Sequence, residues 1–137
     1  MYLYNSKRKN MHSFLLSIGS NFDAQKNITA AKEQLMRYFA DIYFTQPTES
    51  EPYGMFYKGK FVNMLATFGS EYSLDEVIQI MKKIEREMGR LKEDKKLGKV
   101  IIDLDIIVSD NVIVRPSDFE RTYIQKLLRF LPNISSR

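Results

Sequence analysis

Phe61-Val62-Asn63-Met64-Leu65-Ala66-Thr67-Phe68 alternates as a strand, with Val62, Met64, Ala66 and Phe68 on one face and Phe61, Asn63, Leu65 and Thr67 on the other. The first face is purely apolar and belongs against a core. Toward the C-terminus, Ser73 and Glu76 form a capping-box pattern ahead of Val77, Ile80, Met81, Ile84 and Met88, a helical apolar stripe that Gly89 closes. A basic loop over 90–99 then leads into a strand over 100–108, rich in β-branched residues. Past Arg115 and Pro116, residues 119–131 read as a closing helix that packs through Tyr123, Leu127 and Phe130. Toward the N-terminus, 13–20 is a short apolar strand, and 24–39 carries Ile28, Ala31, Leu35 and Phe39 at helical spacing. Residues 41–45 read as another strand. Residues 47–60 hold two prolines and two glycines without any period, which predicts a long loop suited to be a lid.

The order strand, helix, strand, strand, helix, strand predicts a ferredoxin-like α+β fold, a four-stranded antiparallel sheet with helices on one face and a C-terminal helix in addition. The other sheet face is expected to be open, so polar side chains pointing there need a ligand or solvent. The length of 137 residues fits one domain, expected over 11–137, with 1–10 a polar extension without periodicity. The absence of cysteine excludes disulfides, thiolate metal ligands and a cysteine nucleophile, and fits a cytoplasmic protein. The apolar run 14–18 is too short for a signal-peptide core or a membrane span. A formal charge of +4 and a pI near 9.2 point to an anionic ligand: nucleotide, nucleic acid or phosphorylated metabolite.

The sharpest chemical signal is Asp103-Leu104-Asp105 within Ile101 to Ile107. A strand projects both carboxylates from one face while Ile102, Leu104 and Ile106 fill the core. Two close carboxylates in an apolar strand repel one another unless a cation joins them, and magnesium, taking its remaining oxygens from phosphate and water, suits that pair. The alternative is an acidic strand face that simply meets water. Phe61 and Asn63 share a face, offering a stacking ring and an amide that can pair with the edge of a flat heterocycle; equally they read as a core phenylalanine beside a polar surface residue. Gly19-Ser20-Asn21 lies where a strand hands over to a helix, a place for close backbone approach. No Walker-type glycine loop is present, and His12, the only histidine, reads as a surface residue.

Ile18-Gly19-Ser20-Asn21, Thr45-Gln46-Pro47, Phe61-Val62-Asn63, Ile84-Glu85, Gly89-Arg90 and Asp103-Leu104-Asp105-Ile106 follow in this order with spacings that resemble the 6-hydroxymethyl-7,8-dihydropterin pyrophosphokinase family. The resemblance implies a ferredoxin-like enzyme of the folate pathway, whose partners are ATP and the pterin, with no nucleic acid and no membrane, as a monomer or weak homodimer. It implies that Asp103 and Asp105 hold two magnesium ions, that Asn63 reads the pterin edge with Thr45 nearby, and that Phe61 and Tyr123 sandwich the ring. It further implies that Arg90 and Lys92 engage phosphate and that Glu85 lies near the substrates. Two positions depart from the family pattern. Val100 stands where members carry an arginine, and strand alternation offers Lys99 as its substitute; Ser117 stands where a histidine follows proline. These departures keep open a member that binds without efficient transfer. An RNA-binding module on the same fold is a further alternative, since Lys58-Gly59-Lys60-Phe61-Val62 is similar to a strand signature of such modules, but Asp103 and Asp105 would repel RNA phosphates.

Overall fold

The computed structural model describes residues 11–51 and 59–131. The expected extension 1–10 and the middle of the expected lid, 52–58, lie outside the described residues. The chain is α+β with an antiparallel sheet. Its elements are β1 (His12–Ser20), α1 (Ala24–Tyr38), β2 (Tyr43–Phe44), β3 (Thr48–Ser50), β4 (Phe61–Ser70), α2 (Leu74–Glu87), a 3-10 helix (Lys92–Leu97), β5 (Asp103–Ser109), β6 (Val112–Ile113), α3 (Pro116–Phe119) and α4 (Thr122–Leu128). The strands run in the order β2, β4, β1, β5, β6, with β3 also pairing β4. Among the described residues the sheet carries two short strands beyond the four expected: the stretch read as loop from Pro47 contains β3, held by β4, and β6 extends the sheet beyond β5.

Alternation on three strands builds the main core. Phe14, Leu16 and Ile18 of β1, Met64, Ala66 and Phe68 of β4, and Leu104 and Ile106 of β5 pack with Ile28, Ala31 and Leu35 of α1 and Val77, Met81 and Ile84 of α2. Phe68 lies between Phe39 and Phe14, with ring centroids 4.1 and 5.2 Å away, so aromatic contacts tie the end of α1 to the sheet. The capping box of α2 forms as the sequence predicts: the Glu76 N–H donates to Ser73 Oγ at 3.2 Å and the Ser73 N–H to Glu76 Oε1 at 3.0 Å. Ser73→Ala is expected to cost about 1 kcal/mol of stability, read from chemical denaturation.

The second sheet face is not open. Leu15, Leu65, Ile107 and Val108 pack there under Ile124, Leu127, Leu128 and Leu131 of the C-terminal segment. The closing helix expected over 119–131 is shorter, α4 alone, and the chain turns between it and the separate short helix α3 that precedes it. With α4 ending at Leu128, Phe130 falls past the helical period and is 66% exposed, while Ile124 and Leu128 do the packing. Thus α1 and α2 cover one face and α4 covers part of the other. Along β1, β4 and β5 that second face changes from Leu15, Leu65 and Ile107 at one end to Gly19, Asn63 and Asp103 at the other. The polar end is where a ligand can enter.

Candidate active site

Strand register alone sets the centre of the site. Gly19 of β1 pairs with Asn63 of β4 on one side and with Asp103 of β5 on the other, so the amide and the carboxylate stand in one row across three strands. Gly19 keeps that row passable: a Cβ added there would lie 3.2 Å from Asn63 Oδ1. Two residues along, Ser17 pairs with Asp105, and its hydroxyl lies 3.4 Å from the Tyr123 hydroxyl of α4. Around this row opens a cleft of about 1510 Å³, into which Phe61, Asn63, Glu85, Arg90, Lys92, Lys99, Asp103, Asp105 and Tyr123 all face. These are the residues singled out in the sequence, Thr45 excepted.

Thr45 is buried beside the sheet instead. Its N–H donates to the Leu65 carbonyl and its Oγ1 accepts from the Leu65 N–H, both at 2.9 Å, so its side chain serves strand pairing. The hydroxyl next to Asn63 belongs to Ser50 of β3, whose Oγ accepts from Asn63 Nδ2 at 2.6 Å. The strand pattern that would have revealed Ser50 is only three residues long and sits among prolines.

The carboxylates are not left to water. Arg90 bridges Glu85 at 2.6 Å and Asp103 at 2.9 Å, and also donates to the Ile102 carbonyl at 3.1 Å. Glu85 accepts from the Leu104 N–H at 2.8 Å, yet burial holds its pKa above the usual carboxylate range. Burial first, and Asp103 second, push Asp105 up to about 7. Arg115 opposes that rise from 3.8 Å.

Lys99 lines the same cleft as Asp103 and Asp105, but strand alternation is not what puts it there. Residues 99–102 precede β5, and Asn21 grips them: its Oδ1 accepts from the Val100 N–H at 2.6 Å, its N–H donates to the Val100 carbonyl at 3.0 Å and its Nδ2 to the Gly98 carbonyl at 2.9 Å. Because this stretch bonds to the backbone and side chain of Asn21, past the end of β1, the strand period does not reach Lys99. Its ammonium lies 4.1 Å from the centre of the Phe22 ring. Val100 is buried. Besides Arg90, the arginines that line the cleft are Arg115, whose guanidinium lies 3.8 Å from Asp105, Arg121, and Arg86 on the α2 side. Reasoning from sequence passed over these three, since single arginines at a turn and on a charged helix face carry no pattern.

Behind Asp103 and Asp105, a smaller recess of about 450 Å³ runs between α2 and β5, walled by Leu74, Ile78, Ile106 and Val114. It shares Glu85, Arg90, Asp103, Asp105 and Arg115 with the main cleft, so an apolar slot and a charged rim meet at the aspartate pair.

The family model described as 7,8-dihydro-6-hydroxymethylpterin-pyrophosphokinase matches residues 15–132. A curated protein of Aquifex aeolicus (strain VF5), 2-amino-4-hydroxy-6-hydroxymethyldihydropteridine pyrophosphokinase, is 28% identical over 134 residues, covering 90% of this chain and 83% of that protein. Among solved structures, the C-terminal domain of the MgtC protein from Mycobacterium tuberculosis aligns with a TM-score of 0.40 at 7% identity, over 80% of this chain and 100% of that one, too distant to bear on the fold. The family match runs from β1 through α4 and takes in every strand that lines the cleft, and the chain therefore belongs to the 7,8-dihydro-6-hydroxymethylpterin-pyrophosphokinase family.

Proposed function

We infer that the chain transfers the pyrophosphoryl group of ATP to the hydroxymethyl oxygen of 6-hydroxymethyl-7,8-dihydropterin in folate biosynthesis. The hydroxyl oxygen bonds to the β-phosphorus, the bond from that phosphorus to the α,β-bridging oxygen breaks, AMP leaves, and the hydroxyl proton passes to solvent. The observation that carries this reading is the row Asn63, Gly19, Asp103, which sets an amide for a heterocycle edge beside a carboxylate pair for a metal-bound phosphate.

On this reading Asn63, oriented by Ser50, pairs with the pterin edge, and Phe61 with Tyr123 flanks the ring. The nucleotide lies toward β5, its base in the apolar recess by Ile78, Ile106 and Val114 and its phosphates on the basic rim. Asp103 and Asp105 fit magnesium. They lie on one strand face, and among the described residues no group of three or more acidic or histidine side chains is arranged to hold a metal, so phosphate and water complete the shell. When bound, two magnesium ions would neutralise phosphate charge and align donor and acceptor. Arg90, Lys92 and Arg115 supply fixed positive charge around the same phosphates, so the protein contributes mainly positioning and electrostatics. The family's arginine is absent at Val100, and Arg115 offers a guanidinium 3.8 Å from Asp105, which favours transfer over binding alone. An RNA-binding reading fits poorly, because α4 covers part of the sheet face such a module would use. The strand order, with β2 and β3 sharing one edge, supports a ferredoxin-like core. Among the described residues no helix is long and apolar enough to cross a membrane.

The test is AMP release from magnesium-ATP with and without the pterin. Pterin-dependent AMP is expected; pterin binding without AMP would leave only a binding protein.

The carboxylate pair adds a pH-dependent prediction. Asp105 titrates near 7 in the fold against 3.8 ordinarily, so its contribution to stability is complete below about pH 4 and is lost as pH rises through about 7. A cation bound by the ionised pair removes that loss, and protons compete with it at lower pH. Magnesium is therefore expected to raise the melting temperature more at about pH 8 than at about pH 5.5. An equal rise at both would separate the metal from Asp105.

A further inference from the structure

Arg115, Asp118 and Arg121 lie three residues apart on either side of α3, a spacing that brings all three to one side of the turn. The Asp118 side chain is only 14% exposed, and its two oxygens are divided: Oδ2 accepts from Arg115 Nε, and Oδ1 accepts from Arg121 Nη2 at 3.0 Å. Arg115 is thereby held by its Nε, while its Nη1 reaches to 3.8 Å from Asp105. All three side chains line the main cleft. Two guanidiniums this close repel one another, and each long side chain has rotamer freedom to lose on meeting an anion. A single carboxylate between them offsets the repulsion and fixes both before any ligand arrives.

We propose that Asp118 is a positioning residue that holds Arg115 and Arg121 as a paired guanidinium clamp for the phosphate chain of the nucleotide. The proposal rests on the nucleotide reading above and adds a residue that touches neither substrate. Asp118 belongs to α3, the short helix that starts at Pro116, which sets the carboxylate between two arginines on the cleft wall. A fork already set for phosphate oxygens loses less on binding than two free side chains would.

Equilibrium titration of the full chain with magnesium-ATP and, separately, with the pterin tests this. Asp118→Asn keeps the shape and removes the charge; it is expected to weaken magnesium-ATP about 10-fold or more. Pterin affinity should stay within about 2-fold, because the Asp118 carboxylate bonds to the two arginines and not to Asn63 or Tyr123. Asp118→Glu is expected to recover part of the loss. In a background of Arg115→Ala with Arg121→Ala, Asp118→Asn should add nothing further. Wild-type affinity for magnesium-ATP in Asp118→Asn overturns the proposal, as does an equal loss for both ligands that persists in the double-arginine background, which would mark a role in folding only. Should Asp118→Asn not fold, Arg115→Lys, which keeps the charge but has no Nε–H for Asp118, is titrated instead with the same two outcomes. A wild-type chain that binds no magnesium-ATP would refute the proposed function itself.

Discussion

Asp105→Ala is expected to lower pterin-dependent AMP formation by at least about 10³-fold, the equivalent of about 4 kcal/mol of transition-state stabilisation. The loss should not come from unfolding. In the metal-free protein Asp105 is a carboxyl whose ionisation the fold opposes, by burial first and by Asp103 second. Removing it relieves that penalty, so at about pH 8 the metal-free variant should melt no lower than the wild type, while magnesium should no longer stabilise it. Activity and stability thus move in different directions, which a damaged core cannot produce. Asp103→Ala should also abolish turnover, and it frees Arg90 from one of its two carboxylates, leaving Glu85 and the Ile102 carbonyl. Turnover close to wild type in either variant would remove the pair from the mechanism.

Long periodic segments were legible. The alternation from Phe61 to Phe68 divides its residues between two faces as the sequence predicts, and the Asp103-Leu104-Asp105 pattern faces its carboxylates away from Leu104 and Ile106. In the same way Ser73 and Glu76 announce the start of α2, because capping is a local interaction. What failed depends on partners far along the chain. Strand β3 has three residues and exists because β4 offers a free edge, which no local pattern around Pro47 records. The covering of the second face by α4 follows from where the chain turns after Phe119, and that turn shifts the packing set from Phe130 to Ile124 and Leu128.

Site residues divide along the same line. That Asn63, Asp103 and Asp105 share the sheet face lining the cleft was legible, because strand alternation fixes it. Thr45 and Lys99 each lie just outside a regular strand, where alternation no longer reports direction; Thr45 falls outside the cleft lining, while Lys99 reaches it. Thr45 turns its hydroxyl to the Leu65 backbone, and Asn21 diverts the chain around Val100 before β5 begins. Arg115, Asp118 and Arg121 gain meaning only once α3 brings them together.

Asn63→Ala is expected to weaken the pterin by about 10²-fold, or about 3 kcal/mol, with magnesium-ATP affinity unchanged. The site offers the ring edge one amide, with donor and acceptor on the same plane, and Ser50 fixes which way it turns. Loss of the amide strands the polar edge of a flat heterocycle between apolar surfaces, and that desolvation is the larger part of the cost. Gly19→Ala supplies a milder version without touching the amide itself. Its Cβ would stand 3.2 Å from Asn63 Oδ1, so the amide must give by a few tenths of an ångström, and a weaker pterin with an intact fold should result. The two variants together separate geometry from chemistry: if Asn63→Ala weakens the pterin while Gly19→Ala does not, the amide adapts its position. If neither does, the ring binds elsewhere in the cleft, and the row across β4, β1 and β5 does not carry the acceptor.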